Sequence, residues 1–433
     1  MEILNYQEAF GETDKTSQAM RDAIDEWFSL YYRSTVTDGE DPCQRIAYTV
    51  INKLVRTTFA EYRATTDSPF TAGLLRELDR CRAQAMQLAL AGGSVFIKPW
   101  PEQTGFGFSL IPRDQILIFA RDPRGNPTDV GVAEHSVAGK FFYTLLERRR
   151  VDEKGFLTIE NKLYRATQRQ ALGQQVSLKT HPLYALLPER YTYRTPVGSV
   201  GLAELRTDVL NCVDGSADAV GILAAVTGLI HSIDRNEFLL SREFENGRSR
   251  IFASADLLRE GQLDSELFVG LDEDPAQVGV TVFSPALRQE SFLARKQEYL
   301  RNVESVIGLK RGLLSDANVE ERTATEIASS QGEHALTALD FQRMWERLVA
   351  EVCRLCGVLG RLYAIAGAEE GAVAFDWGNG VLFDEAQLWA DYKDMVRQGL
   401  LLPEVALGWR FGLPADTPQQ RAAIREKLMP NQS

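Results

Sequence analysis

Histidine and cysteine are scarce in this sequence, which holds 4 histidines and 5 cysteines among 433 residues. His231 and His334 fall within predicted helices and have no Cys or His neighbour at the spacing of metal ligands. The cysteines are odd in number and scattered, which is typical of a reducing cytosol. Cys353 and Cys356 lie on the apolar side of one long predicted helix, which favours core packing over a redox motif. We therefore expect neither a metal nor a cofactor.

The glycine and serine motifs of common enzymes are also missing. Gly105 and Gly107 lack the third glycine of a dinucleotide fingerprint, and Gly92-Gly93 lacks the Lys-Ser/Thr of a phosphate loop. No G-x-S-x-G elbow is present. The sequence thus predicts a protein that is not an enzyme. An α/β enzyme with an unrecognised site stays open as an alternative, because paired acidic residues without a pocket say little about catalysis.

An excess of positive charge is absent, and so are long apolar runs. The chain has 48 Lys and Arg against 60 Asp and Glu, a net charge of −12. This disfavours tight binding to nucleic acid but allows DNA to pass loosely. The basic run at 148–150 is more typical of a solvated strand end than of a nucleic-acid patch. Neither a signal peptide nor the roughly 20 apolar residues of a membrane helix is found, so we expect a soluble protein made in a cytoplasm.

The first half of the chain has the pattern of a mixed α and β region. Apolar spacing predicts helices at 20–33, 43–62 and 74–91, the last ending at Gly92-Gly93. Alternating runs bounded by turn residues predict strands at 94–100, 106–111, 115–120, 141–149, 157–164 and 175–178. The turn cluster at 122–127 separates two of these strands.

The second half is mainly helical. We predict a long amphipathic helix at 216–245 with Ser216 as its N-cap, and a helix that begins at Ser284-Pro285 and ends at Gly308. Between them, the segment 248–283 holds predicted strands at 249–253 and 278–283, a short helix at 255–260 and an acidic loop. This loop is more typical of an interaction surface than of a cation site. A very long helix at 323–363, a strand at 373–377 and helices at 385–399 and 418–428 follow.

An ordered set of short motifs runs through residues 283–363. They are Phe283, Pro285 and Arg288; Ile307-Gly308-Leu309; Gly312 to Ser315; and Thr323 to Ile327. This set resembles the portal proteins of tailed bacteriophages, in particular the branch found in phages of Gram-positive bacteria. Stretches at 93–100, 214–216, 236–251 and 373–377 are similar to the same family. The resemblance spans about residues 43–412; no single motif is decisive.

The resemblance implies an α+β portal fold that assembles into a ring. Its parts would be the wing (1–206), a lead-in and first stem helix (207–247), the clip (248–283), the second stem helix (284–308), the tunnel loop (309–322), the channel helix (323–366), and a wing strand with small helical crown (367–433). A long amphipathic helix needs neighbours to cover its apolar face, and head-to-tail ring contacts supply them.

The same resemblance implies a place in the virion and a set of partners. The ring, dodecameric as the family implies, would sit at one capsid vertex and let double-stranded DNA pass during packaging and ejection. Its partners would be other copies of itself, the terminase large subunit, the head–tail adaptor, and the major capsid and scaffolding proteins, with no membrane. A non-viral oligomeric scaffold or adaptor is the second alternative.

Three groups of residues are the candidate sites that follow from the resemblance. The tunnel-loop candidates are Lys310, Arg311, Asp316, Asn318, Glu320 and Arg322. The channel-helix start is marked by Thr323, Thr325 and Glu326. The clip candidates for docking are Asp256, Arg259, Asp272, Glu273 and Asp274. The loop cations are expected either to touch DNA phosphates weakly or to pair with acidic loop residues of a neighbouring subunit.

Overall fold

The computed structural model describes residues 6–32, 43–103, 105–169, 171–247, 250–254, 268–271, 281–283, 286–316, 324–378 and 385–429. The helices are α1 (Gln7–Phe10), α2 (Gln18–Tyr32), α3 (Ile46–Thr58), α4 (Pro69–Gly92), α5 (Thr227–Asn246), α6 (Gln289–Ile307), α7 (Ala324–Leu362), α8 (Glu385–Arg397), α9 (Pro403–Phe411) and α10 (Pro418–Leu428).

The strands among the described residues fall into four sheets. They are β1 (Arg63–Thr65), β2 (Ser94–Pro101), β3 (Phe106–Pro112), β4 (Ile116–Arg121), β5 (Pro127–Ala138), β6 (Phe141–Val151), β7 (Leu157–Ala166), β8 (Gln174–Val176), β9 (Arg190–Thr192), β10 (Ala203–Arg206), β11 (Arg250–Ser254), β12 (Phe268–Leu271), β13 (Thr281–Phe283) and β14 (Ala374–Asp376). The mixture of helix and sheet confirms the α+β class at this level.

The N-terminal helices and the sheet β10-β2-β3 share the largest core. α4 begins at Ser68, whose hydroxyl accepts the Thr71 N–H at 3.2 Å, and Pro69 fills its first turn. It ends at Gly93, whose φ is 87°. A Cβ added at Gly93 would lie 2.2 Å from the carbonyl oxygen of Ala219, so only glycine fits this turn. The predicted helix end at Gly92-Gly93 is confirmed.

A larger antiparallel sheet runs in the order β4-β5-β6-β7-β8, with β9 also paired to β7. The strands predicted at 141–149 and 157–164 are confirmed with slightly longer bounds. The 12-residue strand β5 was not predicted, because its start overlaps a turn cluster and its middle holds Gly131. The rings of Phe10 and Phe119 explain this glycine, since a Cβ there would meet them at 2.8–2.9 Å.

A buried ionic network joins this sheet to the chain that leads into α5. The Arg113 side chain is 1% exposed and lies 2.9 Å from the Asp218 carboxylate. Arg121 pairs with the same carboxylate, and Arg113 also donates to Thr16 at 2.6 Å. Burial opposes ionisation of Asp218, but the two guanidiniums outweigh it and lower the pKa of this carboxyl. The network therefore holds together segments far apart in sequence.

The basic run at 148–150 belongs mostly to the interior of the sheet. Arg148 donates to Asp129 at 3.0 and 2.7 Å. Arg149 is buried, contacts Glu147 at 2.6 Å and donates to the carbonyls of Val200 and Gly201. The interpretation as a solvated strand end is thus wrong for Arg148 and Arg149, which are structural.

The predicted start of the first long helix is wrong. Residues 216–221 are not helical, a 3-10 turn covers Ile222–Ala225, and α5 begins only at Thr227. The Ser216 hydroxyl accepts from Asn211 at 3.1 Å and from the Asp218 N–H at 3.3 Å instead of capping a helix. Short polar side chains that bond to nearby backbone compete with helix formation, and this cluster shows that competition.

α5 and α6 form an antiparallel pair. The chain between them forms a small sheet of order β12-β11-β13. Arg288 pairs with Glu243 at 2.7 Å, Lys296 with Glu237 at 2.9 Å, and Asn236 donates to the Phe292 carbonyl at 3.0 Å. The strands predicted at 249–253 and 278–283 are present as β11 and β13 with shifted bounds, whereas β12 was not predicted. α6 begins at Gln289, later than the predicted Ser284-Pro285, and residues 255–260 lie outside the described residues.

α7 is the longest helix, with 39 residues, or about 58 Å at ~1.5 Å per residue. Its buried face includes Phe341, Trp345, Leu348, Val352 and Leu359, and it packs against the core of α3 and α4. Cys353 and Cys356 are buried on the same face, as expected for core packing. After α7 the chain returns, and β14 pairs with β1.

Three helices complete the described C-terminal part. α8 and α10 were predicted, but α9 was missed, because it spans only nine residues and contains Gly408. α10 begins with a capping box, in which Thr417 accepts the Gln420 N–H at 3.2 Å and Gln420 accepts the Thr417 N–H at 3.0 Å. Across the described residues, no helix combines the length and the apolar character that crossing a membrane requires.

We expect Asp218→Asn to lower the free energy of unfolding by about 3 kcal/mol, because it leaves the buried Arg113 charge without its carboxylate. Asp340→Asn is the matched control, since its Arg343 pair is exposed and should contribute at most about 0.5 kcal/mol. Urea unfolding followed by circular dichroism measures both. Equal effects of the two substitutions would show that the buried network does not stabilise the chain.

Candidate functional site

The candidate site is the turn that joins α6 to α7, of which residues 308–316 are described. α6 ends at Gly308, which has a left-handed φ of 72°, and the Leu309 N–H donates to the Glu304 carbonyl at 2.8 Å. This is a common helix ending, and it confirms the predicted stop at Gly308. Leu309 then turns inward and is buried in the main core.

The buried carboxylate of Glu304 holds the turn in place. Glu304 is 0% exposed, and its Oε1 accepts the backbone N–H groups of Gly312, Leu314 and Ser315 at 3.1, 2.6 and 3.0 Å. Its Oε2 accepts the Ser315 hydroxyl at 2.7 Å. One side chain thus satisfies four donors of a segment that has no regular secondary structure. Gln297, two turns earlier, accepts the Asp316 N–H at 2.8 Å.

α7 closes the other side of the turn. A Cβ at Gly308 would lie 2.4 Å from the Thr337 hydroxyl, so the backbone of the turn lies directly against this helix. His334 is also buried there. Burial lowers the pKa of His334, a hydrogen bond to the Gly308 backbone opposes this, and the Lys310 charge lowers the pKa further. The turn is therefore held by α6 from one side and by α7 from the other.

The predicted loop residues that are described lie together on this turn. Lys310, Arg311 and Asp316 are exposed, while their neighbours Leu309 and Ser315 are buried. The arrangement presents two cations to solvent on a backbone of fixed shape. Among residues 308–316, what the exposed side chains of the turn offer chemically is electrostatic contact.

Other predicted site residues cannot be placed in the same way. Asn318, Glu320, Arg322 and Thr323, and the clip candidates Asp256, Arg259, Asp272, Glu273 and Asp274, lie outside the described residues. Thr325 and Glu326 lie in the first turn of α7. In the part of the chain that the structure describes, no three His, Cys, Asp or Glu side chains are grouped to hold a metal ion.

Sequence reasoning missed the residues that shape this turn. Glu304 occupies the apolar face of α6 together with Leu300 and Val303. A lone acidic residue on such a face, four positions before a helix-ending glycine, was the available signal. To use this signal, one also needs the premise that a buried carboxylate must find several hydrogen-bond donors nearby.

A second feature concerns the contact between α7 and the sheet strand β10. Glu351 of α7 lies beside Glu204 of β10, in a pocket of about 390 Å³ that Arg206 and Arg354 also line. Burial raises the pKa of Glu351 to about 7, and the Glu204 charge adds to this effect, while Arg354 and the Glu204 N–H oppose it. This contact is consequently sensitive to pH near neutrality.

Comparison with known proteins finds likeness among solved structures. No family model matches the chain, and no curated protein matches it. A solved structure described as the "Neck of native GTA particle computed with C12 symmetry" aligns with 87% of this chain and 92% of its own, at 10% sequence identity and a TM-score of 0.45. A likeness of this strength assigns no family, and the functional argument rests on the features described above.

We expect Glu304→Ala to release the turn, because three backbone N–H groups and one hydroxyl lose their acceptor, at a cost of about 2–4 kcal/mol. Hydrogen exchange should become at least about tenfold faster at Gly312, Leu314 and Ser315. Glu298→Ala, an exposed position on the same helix, should leave these amides unchanged. Unchanged exchange in Glu304→Ala would rule out the carboxylate as the anchor.

We expect the contribution of Glu351 to the stability of the chain to fall as pH rises from about 4.5 to about 7, where Glu351 loses its proton in the folded state. The folded-state pKa is raised above the unfolded value, so the penalty is absent below this window and complete above it. Glu351→Gln should therefore be more stable than the wild type at pH 8 by about 1–2 kcal/mol, and similar to it near pH 4.5. Urea unfolding at both pH values tests this, with Glu153→Gln reporting the loss of a surface charge; the same difference at both pH values would contradict it.

Proposed function

We propose that this chain is a portal protein, the subunit of a ring through which double-stranded DNA enters and leaves a phage capsid. The proposal joins the sequence resemblance to the order of elements in the second half of the chain. Along the chain, a small sheet lies between the two helices of an antiparallel pair, an anchored turn follows, and a very long helix comes next. In the proposal, these elements serve as the stem, clip, tunnel loop and channel helix that the resemblance implies.

The observation that carries the proposal is the anchored turn between two long helices. A fully buried carboxylate that accepts four hydrogen bonds fixes the shape of this turn. Such an anchor is useful where the turn must keep its shape under load, as a loop touching moving DNA must. Lys310 and Arg311 are the side chains that the turn presents.

Exposed apolar side chains along the helices support a ring. Leu293 and Val306 of α6 and Leu336 of α7 are 49%, 53% and 63% exposed. Apolar side chains repeated along long helices favour contact with further helices, and head-to-tail contact between copies closes into a ring. The number of subunits is proposed to be twelve, from the resemblance.

The charge of the chain suits a conduit for DNA. A net charge of −12 gives the chain no overall attraction for a polyanion, so phosphates can slide past a small number of contacts. In this proposal Lys310 and Arg311 supply weak contacts, and the segment 248–283 docks the terminase and later the head–tail adaptor. The ring belongs to the portal vertex of a virion, where the capsid and scaffolding proteins surround it.

We expect purified protein to assemble into rings, because the exposed faces of α6 and α7 need neighbours. Native mass measurement should give a multiple of the 48.4 kDa chain, and negative-stain images should show rings with a central channel. A non-viral adaptor or an enzyme predicts a monomer or a small oligomer without a channel. A monomer under all conditions, with no ring in particles, would overturn the portal proposal.

A further inference from the structure

The end of the large sheet at the Gly139-Lys140 hairpin is built from segments without acidic residues. The chain holds 60 Asp and Glu among 433 residues, about one in seven, but residues 135–146 and 161–188 contain neither. The pairing of β5 with β6 and of β6 with β7 brings these two segments together. We call this part of the sheet its hairpin end. In a chain whose net charge is −12, such a region attracts anions that the rest of the surface repels.

Three cations lie on one side of the hairpin end. The Lys140 ammonium and the Arg165 guanidinium lie 5.6 and 4.7 Å from the centroid of the Phe141 ring, so one aromatic side chain holds both charges. Lys179 is exposed and follows Leu178, which is buried in the small core that Phe141 packs against. Counting only the described residues, none of the three cations has a carboxylate at ion-pair distance. Their charges therefore remain available to a partner.

The turn between β8 and β9 adds two exposed leucines on the same side. Leu183 and Leu186 are 71% and 97% exposed, whereas Tyr184 between them is buried in that small core. The buried His181 ring lies against the Tyr143 and Tyr184 rings, with centroids 4.8 and 4.9 Å apart, and its Nδ1 accepts the Leu183 N–H at 3.2 Å. The turn thus presents both leucines on a backbone that its own buried side chains hold in place.

Two acidic residues border the hairpin end, and one of them is already engaged. Glu134 accepts the Tyr184 hydroxyl at 3.0 Å and lies 3.9 Å from the Lys98 ammonium. Glu189 is exposed just beyond the second acid-free segment. The surface between them combines positive charge with exposed leucine, which fits a partner that is both anionic and apolar.

The charge of the whole chain favours a short partner segment over an extended polyanion. A DNA duplex or an anionic membrane would also meet the remaining surface, which carries the net charge of −12 and repels it. Neither phosphates nor lipid headgroups supply apolar side chains for the leucines to pack on. A protein segment can bring carboxylates and apolar side chains to the hairpin end alone.

We infer that the hairpin end of the large sheet binds an acidic, leucine-containing segment of another protein. The carboxylates of the segment pair with Lys140, Arg165 and Lys179, and its leucines pack on Leu183 and Leu186. This contact needs neither a ring nor DNA, so it goes beyond the proposed function and can fail independently of it.

The probe for this surface is a synthetic peptide of about 15 residues that carries Glu and Leu among Ser and Gly. Calorimetric titration measures its affinity for the full chain, and hydrogen exchange should show protection in β6, β7 and the turn between β8 and β9. The variant with Lys140→Glu, Arg165→Glu and Lys179→Glu should bind the peptide at least about tenfold more weakly. A peptide with Lys in place of Glu should bind this variant at least about tenfold more tightly than it binds the wild type, which a misfolded chain could not do.

The leucines are tested separately from the charges. Leu183→Ser with Leu186→Ser should weaken the acidic peptide about tenfold, because its apolar side chains lose their contact. Lys154→Glu is the control, since this exposed lysine lies in the turn at the opposite end of the sheet and should leave the affinity unchanged.

Four results would overturn the inference. They are no binding of the acidic peptide at about 1 mM, which is weaker than about 4 kcal/mol; equal binding by the wild type and the charge-reversed variant; no gain for the Lys peptide on that variant; and tighter binding of a DNA duplex or of phosphatidylserine vesicles than of the peptide at the hairpin end. Each of them leaves the portal proposal standing, because ring assembly is measured without the peptide.

Discussion

The carboxylate of Glu304 is the constraint on which the second half of this molecule depends. It is fully buried at the end of α6, and it can remain so only because the following turn brings four donors to it. The same turn brings Gly308 against Thr337 of α7. The shape of the turn between the two helices therefore depends on one fully buried side chain.

Much of the helical architecture could be predicted from the sequence because apolar periodicity is strong in helices such as α2 and α3. The start of α5 could not be predicted. The apolar spacing suggests a helix from residue 216, but the Ser216 hydroxyl accepts hydrogen bonds from the Asn211 side chain and the Asp218 N–H instead. The anchored turn was located as a loop, but its anchor was missed. A lone glutamate on an apolar face departs from helical periodicity, and the sequence pattern gives no reason for it. The four hydrogen bonds that the Glu304 side chain accepts explain its position.

Arginine side chains have two distinct roles in this chain, and the net charge does not show which arginine has which role. Arg113 and Arg149 are buried and are fully engaged by carboxylates and carbonyls, so they join segments and offer nothing to a partner. Arg165 lies over the Phe141 ring at the hairpin end of the large sheet and keeps its charge for a partner. The basic run at 148–150 drew attention in the sequence, but the cations of this sheet that are arranged for contact lie at its other end.

The pairing of β1 with β14 has a consequence for how the chain is made. Ser68 bonds the Glu369 carbonyl across 301 residues, and Trp345 donates to the Tyr62 hydroxyl at 3.0 Å. The core around α3 and α4 therefore stays incomplete on the ribosome until residues 345–376 have been synthesised, and its closing contacts are slow to form. A chain truncated before α7 leaves that core exposed. Cellular proteases can then cleave it more readily than a chain whose core is closed.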